Sequence, residues 1–228
     1  MTGQPERSAY LSDLSNARWA LMEPNLTAWR TERQKTSLGL GAPITDLREV
    51  MNAILYVNHT GIPWRYLPHD FPPPSTVFSY FSTWTTDGTI EMLGVRLRRV
   101  VREQVGRTAE PTACVIDAQS VKTAYTVPSS TQGIDAGKKI VGRKRSQHGA
   151  ALGIDVDVVP RNTQVKGFSI VPRRWVVERT FGWIMMHRRL ARDYETKPAH
   201  SESMIRLAMI SNLLKRATGE SAITWHNP

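Results

Sequence analysis

Apolar residues recur at three- and four-residue spacing along much of the N-terminal half, which predicts amphipathic helices. The clearest helix covers residues 47–58. Asp46 and Glu49 resemble a capping box at its start, and Gly61 marks its end. One side of this helix collects Leu47, Val50, Met51, Ile54 and Leu55.

The segments on either side of this helix are less regular. Ser15 is placed to cap a short helix over residues 16–23, which we expect to stop at Pro24. Residues 27–44 contain two glycines and a proline and show no apolar period, so they predict a loop.

Two further helices follow a proline-rich connection at residues 72–74. Ser75 or Thr76 is expected to cap the first of them, and residues 90–105 form the second. Short helices in this order favour a helix-turn-helix unit, with residues 75–85 as the recognition helix. Any small helical bundle would show the same pattern, which leaves that alternative open. The expected buried face is Val77, Phe78, Phe81 and Trp84.

The apolar period changes in the C-terminal half. Residues 112–117 are an apolar run that predicts a buried strand, and residues 154–159 and 167–171 are further strand candidates. Residues 129–148 look irregular and basic. Two helices, at 172–194 and 201–216, close the chain. The predicted fold class is therefore α+β, with a helical N-terminal part and a C-terminal part that mixes strands and helices.

Charge separates the same two halves. The net charge is +10, yet residues 1–100 carry ten basic and nine acidic side chains, whereas residues 101–228 carry twenty and eleven. A basic half suits a polyanion such as nucleic acid, although a generic basic surface would look the same. Cys114 is the single cysteine, which excludes an internal disulfide and a cysteine-ligated zinc. The sequence shows neither a signal peptide nor a membrane span, which favours the cytoplasm.

Two carboxylates stand out as candidates for chemistry. Asp117 ends an apolar strand, where it would need a cation or hydrogen bonds; a turn cap is the alternative. Glu178 lies among arginines and aromatic residues on a predicted helix, on one face with Arg174 and Gly182. An ordinary Arg174–Glu178 ion pair is the alternative there. A glycine inside this helix suggests that something packs closely against it.

Two carboxylates held close together could bind a pair of Mg²⁺ ions for phosphoryl transfer. Basic side chains near them would hold phosphates, and His187 is a further candidate for a phosphate contact. These candidate DNA contacts are Arg143, Lys144, Arg145, Arg174, Arg188 and Arg189.

Three blocks of this sequence resemble bacterial insertion-sequence transposases of the IS5 group, within the IS4-like DDE superfamily. The first block is LSNARWALMEPNL with TDLREVMNAILYVNHTGIPWRYLPHDFPPPSTVFSYFSTWTTDGTIEML. The second is VIDAQSVKT with GIDAGKKIVGRKR, and the third is KGFSIVPRRWVVERTFGW with HRRLARDYE and SESMIRLAMI. The blocks keep the order of the family and cover most of the chain.

The resemblance implies a helical DNA-binding domain at residues 1–108 and a ribonuclease H-like DDE core at 109–228. Asp117 matches the first Asp of the triad and Glu178 matches its Glu, with Mg²⁺ (or Mn²⁺) as the cofactor. Arg174 matches the family's Arg before that Glu. The implied partners are double-stranded DNA, as terminal inverted repeats and target, and a second copy of the chain. The implied setting is the bacterial nucleoid in the cytoplasm, with no role for a membrane.

One departure from the family lies near residues 145–152. Family members continue from GRKR through further strands to a block that supplies the second Asp, whereas here the chain passes directly into later sequence. The core is therefore expected to be incomplete. Asp155 and Asp157 are the nearby acids that could stand in for the missing one. The sequence supports two functions: a transposase with impaired catalysis, or a DNA-binding remnant that competes with intact transposase.

Overall fold

The structure is a computed structural model that describes residues 7–36, 45–112, 119–145 and 174–220. Six α-helices and three β-strands make up the described ranges. The helices are α1 (Asn16–Thr36), α2 (Leu47–Thr60), α3 (Pro74–Thr86), α4 (Thr89–Gln104), α5 (Arg174–Met185) and α6 (Pro198–Thr218). The strands are β1 (Gln119–Lys122), β2 (Gly133–Asp135) and β3 (Ile140–Arg145).

The C-terminal helix α6 lies at the centre of the N-terminal helices. It packs most extensively on α4 and also contacts α1, α2 and α3. Its apolar side chains join one continuous core with those helices, so this core crosses the predicted boundary after residue 108. The largest fully buried side chains all belong to this five-helix bundle: Trp84, Phe81, Met22, Leu26, Met51, Ile54, Ile90, Leu93, Leu97, Met204, Leu207 and Ile210.

Local signals explain where α2 begins and ends, and they confirm the predicted helix. The side chain of Asp46 accepts a hydrogen bond from the backbone N–H of Arg48. Gly61 adopts the left-handed conformation (φ 77°), and its N–H bonds the carbonyl oxygen of Val57. A glycine is favoured at this position because other residues are strained at positive φ.

The first helix is much longer than predicted. Ser15 caps it as expected, since its Oγ accepts a bond from the N–H of Arg18 at 3.2 Å. The helix nevertheless continues through Pro24 to Thr36, so both the stop at Pro24 and the loop from residue 27 to 36 were wrong. Burial outweighs the cost of an internal proline here, because Leu26 is completely enclosed in the bundle.

The start of α3 also differs from the prediction. Pro73 is the N-cap residue and Pro74 the first helical residue, and neither Ser75 nor Thr76 caps the helix. A proline suits that first position because its missing N–H has no intrahelical partner there. Val77, Phe81 and Trp84 are buried as predicted, whereas Phe78 remains 37% exposed.

The three strands form one antiparallel sheet in the order β1-β3-β2. Its register pairs Val121 with Arg143 and Ile134 with Val141. Gly142 allows the close approach of β1, since a Cβ at this position would overlap the carbonyl oxygen of Val121. Residues 129–148 were therefore wrongly predicted to be irregular throughout. Of the strand predicted at 112–117, all but the first residue lies outside the described residues, as do the strands predicted at 154–159 and 167–171.

Helix α5 is shorter than the predicted helix over 172–194. It ends at Met185, where Met186 and His187 donate to carbonyls three residues back and so tighten the last turn. A short 3₁₀ turn over Arg188–Leu190 follows, and Asp193 then pairs with Thr123 beside β1. This mixed arrangement of helices and a small antiparallel sheet confirms the α+β class. Across the described ranges, no helix has the length and apolarity needed to cross a membrane.

Candidate nucleic-acid interface and catalytic carboxylates

Glu178 lies on an exposed side of α5, within its second turn. The neighbouring Arg179 stacks its guanidinium over the ring of Trp183 at 4.8 Å from the centroid. Among the described residues, no atom outside the backbone of α5 and the residues adjacent to Gly182 lies within 4 Å of the position that a Cβ there would take, so the close packing expected at this glycine stays a prediction. An accessible carboxylate beside a cation is compatible with a role at a DNA backbone.

The partners predicted for Glu178 lie outside the side chains that the structure describes. Arg174 is the first residue of α5, and only its backbone is described. Asp117, Asp155 and Asp157 all fall outside the described ranges, so the geometry of the proposed acidic triad stays a prediction. Within the ranges that are described, no three His, Cys, Asp or Glu side chains are grouped as metal ligands. Mg²⁺ is commonly held by one or two carboxylates together with waters and phosphate oxygens, and Glu178 is the predicted ligand that the structure describes.

Arg143 is held in an internal network at the junction of the sheet and the bundle. Its Nη1 donates to Asp193 Oδ2 at 3.0 Å and to the carbonyl oxygen of Glu195 at 2.9 Å. Its Nη2 donates to Thr131 Oγ1 at 2.7 Å, and Asp193 also accepts from Ser201 Oγ at 2.8 Å. These bonds use the guanidinium to join β3 to the start of α6.

Arg189 is the second predicted DNA contact that is held in internal bonds, and it is buried. Its Nε donates to Glu195 Oε1 at 2.8 Å, and its Nη1 donates to the carbonyl oxygen of Ile62 at 3.1 Å. Burial raises the pKa of Glu195 above its ordinary value, although the nearby Arg189 acts in the opposite direction. Arg189 and Arg143 therefore have clear structural roles, and contact with DNA stays a prediction for both.

Among the predicted DNA contacts whose side chains the structure describes, Arg188 is the exposed one. It follows His187, which is 8% exposed and stacks edge-on against His59 with 5.7 Å between ring centroids. Burial, reinforced by His59 and Lys215, lowers the pKa of His187 to about 4. His187 is therefore neutral at pH 7, which does not suit the phosphate contact suggested for it. Lys144 and Arg145 end β3, and their side chains are not among those described.

The predicted helix-turn-helix has its shortest connection between α3 and α4. Asp87 and Gly88 alone separate these helices, and Asp87 Oδ1 accepts bonds from the N–H and the hydroxyl of Thr89. The predicted recognition helix α3 carries no charged residue, whereas α4 carries four arginines between its middle and its C-terminal end. The α4 arginines, which the sequence analysis did not single out, are therefore the better placed to contact phosphates. Their signal in the sequence is the cluster Arg96, Arg98, Arg99 and Arg102.

Comparisons with known proteins match two separate stretches of the chain. A family model for transposases of the IS4/5 family (DUF4096) matches residues 14–93, which span α1 to the first turns of α4. A model for the transposase DDE domain matches residues 141–215, which contain Glu178. No curated protein and no solved structure matches the chain.

The two family models together cover about two thirds of the sequence and follow the order of the resemblance. The DDE match implies a ribonuclease H-like fold for the C-terminal part and an enzyme class that acts on DNA. Domains of this kind use a divalent metal ion. Both models point to DNA transposition. The chain belongs to the IS4/5 family of DDE transposases.

Proposed function

We propose that this chain binds the ends of an insertion element and that its cleavage and strand-transfer activity is impaired. Support comes from the two family matches and from Glu178, an exposed carboxylate on α5 inside the DDE match. Impairment rests on the sequence near residues 145–152, where the block that supplies the second Asp of the family is missing. Asp155 and Asp157 are the remaining candidates for that position.

In this proposal Asp117 and Glu178 are the catalytic carboxylates. They would hold the divalent ion, Mg²⁺ or Mn²⁺, which supplies charge stabilisation for phosphoryl transfer in enzymes of this class. If neither Asp155 nor Asp157 supplies the third carboxylate, the ion would be held weakly. Weak metal binding would lower the rate of DNA cleavage and joining while leaving contacts with the DNA backbone intact.

The proposed DNA contacts divide into two groups. Arg188 is exposed, and Lys144, Arg145 and Arg174 are proposed to contact the DNA with it. Arg143 and Arg189 are proposed to support these contacts from inside, through their bonds to Asp193 and Glu195. A homodimer would present two such sets of contacts, one for each end of an element.

The decisive experiment follows binding and joining in the same reaction. Full-length protein is mixed with labelled duplexes that carry the inverted repeats flanking its gene, target DNA and Mg²⁺. We expect a mobility shift that prefers the repeats over shuffled duplexes, together with little or no joined product. Glu178→Gln should abolish any joining that remains and leave the shift unchanged, because it removes a carboxylate from an exposed site.

Two results would contradict this proposal. Efficient joining by the wild-type chain would show that catalysis is not impaired. Equal affinity for inverted repeats and shuffled DNA would show that the chain does not recognise element ends. A size measurement with and without the repeats tests the homodimer in the same samples.

A second candidate function is a non-catalytic competitor of intact transposase. The observation that favours it is the bundle itself, which has a continuous apolar core and a basic helix α4. Adding the Glu178→Gln protein to an active relative's joining reaction should then reduce the joined product as the ends become occupied. Undiminished product at saturating protein would exclude this function.

A further inference from the structure

Three arginines share one surface near the C-terminal end of α4. Arg102 is four residues from Arg98 and three residues from Arg99, so the three side chains leave the helix on the same side. The opposite side of the helix is buried in the bundle through Ile90, Leu93, Leu97 and Val101. We call Arg98, Arg99 and Arg102 the arginine triad of α4.

The chain folds back over this triad immediately after α4. Gly106 adopts a left-handed conformation (φ 70°), and the N–H of Arg107 bonds the carbonyl oxygen of Arg102 at 2.9 Å. This turn reverses the direction of the backbone. Residues 108–110 consequently lie over the last turns of α4, the helix that they follow in sequence.

Glu110 contacts two arginines of the triad, and backbone carbonyls contact the third. Arg99 Nε donates to Glu110 Oε1 at 2.6 Å, and Arg98 Nη2 donates to Oε2 at 3.3 Å. Arg102 donates to the carbonyl oxygens of Thr108 at 2.7 Å and of Glu110 at 3.2 Å. Four oxygen atoms, two from the Glu110 carboxylate and two from backbone carbonyls, thus accept hydrogen bonds from three guanidinium groups.

These contacts contribute little to the stability of the fold. The Glu110 side chain is 57% exposed, and those of Arg98 and Arg99 are 42% and 52% exposed. Ion pairs at such exposed sites are weak, because water screens them and long side chains lose rotamer freedom. A stronger polyanion can therefore displace Glu110 without disturbing the core. A phosphate group presents oxygens in the same way as this carboxylate and with at least equal charge.

We propose that the arginine triad of α4 binds the phosphate backbone of duplex DNA, and that Glu110 occupies this surface until DNA displaces it. This inference deepens the proposed function and rests on the chain being a DNA-binding protein. It assigns the backbone contact to α4, where the sequence had suggested α3 as the recognition helix. Glu110 stands seven residues before Asp117 in the sequence. Displacing Glu110 would also release residues 108–110 from the last turns of α4.

The test compares variants of the full chain for binding to a random-sequence duplex at several salt concentrations. Glu110→Gln should bind about three- to tenfold more tightly at low salt, because the triad no longer has a competing carboxylate. The double variant Arg98→Gln/Arg99→Gln should bind more weakly. In a plot of log affinity against log salt concentration, the magnitude of its negative slope should be smaller by about 2, since each lost phosphate contact reduces that magnitude by about 1.

Glu91→Gln is the matched control for the change in net charge. Glu91 is an exposed acid on α4 and pairs with Arg206 at 3.5 Å, outside the triad. Lys35→Gln is the control for loss of an exposed cation, since Lys35 pairs with Glu32 on α1. A gain with Glu110→Gln that clearly exceeds the gain with Glu91→Gln supports the proposal. Equal gains, or a double variant that binds like Lys35→Gln, would overturn it.

The random duplex keeps this test separate from the proposed function. A chain that fails to prefer inverted repeats can still show the triad effect, and a chain that recognises repeats can lack it. Hydrogen exchange adds a direct readout of displacement. On adding DNA, amides of residues 106–110 should exchange faster in the wild type, and Glu110→Gln should show that faster exchange without DNA. Unchanged exchange in both proteins would contradict displacement of Glu110.

Discussion

The five-helix bundle and the three-stranded sheet are held in place by different forces. The bundle encloses Trp84, Phe81 and Leu207 completely and holds together through apolar contacts. The sheet buries Val121, whereas Ile134 and Val141 are 75% and 53% exposed. Its link to the rest of the molecule is largely polar, through Arg143 and the pairing of Thr123 with Asp193.

This difference assigns separate tasks to the two regions. Burial of apolar surface stabilises the bundle by an amount that scales with area, so the bundle can present a basic surface without losing its fold. The sheet depends on a few hydrogen bonds and ion pairs, so the loss of one of them weakens its attachment to the bundle. DNA binding through α4 should therefore survive changes that displace the sheet, whereas the proposed chemistry requires both regions.

The largest effect is expected from a cavity in the bundle. Leu207→Ala on α6 removes a fully buried side chain and should lower the free energy of unfolding by about 3 kcal/mol. Val141→Ala in the sheet removes an exposed side chain and should change it by less than about 0.5 kcal/mol. Chemical denaturation of both variants measures the contrast. Similar losses at the two sites would mean that the sheet belongs to the same core.

A smaller effect is expected where the sheet joins the bundle. Arg143→Gln leaves Asp193, whose side chain is 3% exposed, without its cation and should weaken docking of the sheet by about 2 kcal/mol. Amides of β1 and β3 should then exchange faster while those of α2 and α6 keep their protection. Lys122→Gln, an exposed cation on β1, serves as the control. Uniform loss of protection throughout the chain would contradict separate stabilisation of the two regions.

The smallest of the three effects on stability is expected when the pH is lowered. The pKa of His187 is lowered from 6.5 to about 4 in the folded chain, so the unfolded chain takes up a proton first as the pH falls. The contribution of this histidine is fully present above pH 6.5 and is lost between 6.5 and 4. Unfolding free energy should drop by roughly 2 kcal/mol between pH 7 and pH 5.

His187→Gln is the control for that pH dependence. It removes the titrating ring and should flatten the profile in this range. Burial also lowers the pKa of His59 and of His200, so a shallower decline should remain in the variant. Identical profiles for the two proteins would show that His187 is not the source.

Sequence patterns predicted those parts of the fold whose signals are local. Helix α2 follows its apolar period and is closed by Asp46 and Gly61, residues adjacent to it in sequence. Helix α1 passes through Pro24 because its apolar residues pack against α4 and α6, and α6 is more than 170 residues away. The expectation that a helix stops at a proline considers neighbouring residues alone, so it takes no account of that burial.

The candidate site shows the same limit. The period of α5 was enough to place Glu178 on one side of a helix, and that side is exposed. Arg143 and Arg189 looked like surface cations, since runs of arginine usually face solvent. Their carboxylate partners, Asp193 and Glu195, are identified in the folded structure, where each forms an ion pair with one of the two arginines. The triad of α4 was missed because the sequence gives no sign that Glu110 turns back onto it.

The central position of α6 also bears on how the protein is made. A ribosome releases α1 to α4 well before it synthesises α6, so the emerging helices have an open groove in place of their central partner. Until that partner arrives, Ile90, Leu93 and Leu97 face solvent or a chaperone. The N-terminal helices thus complete their core only when translation has passed most of the segment that matches the DDE model. A message cut short anywhere before α6 would yield a chain that is prone to aggregate, rather than a free DNA-binding fragment.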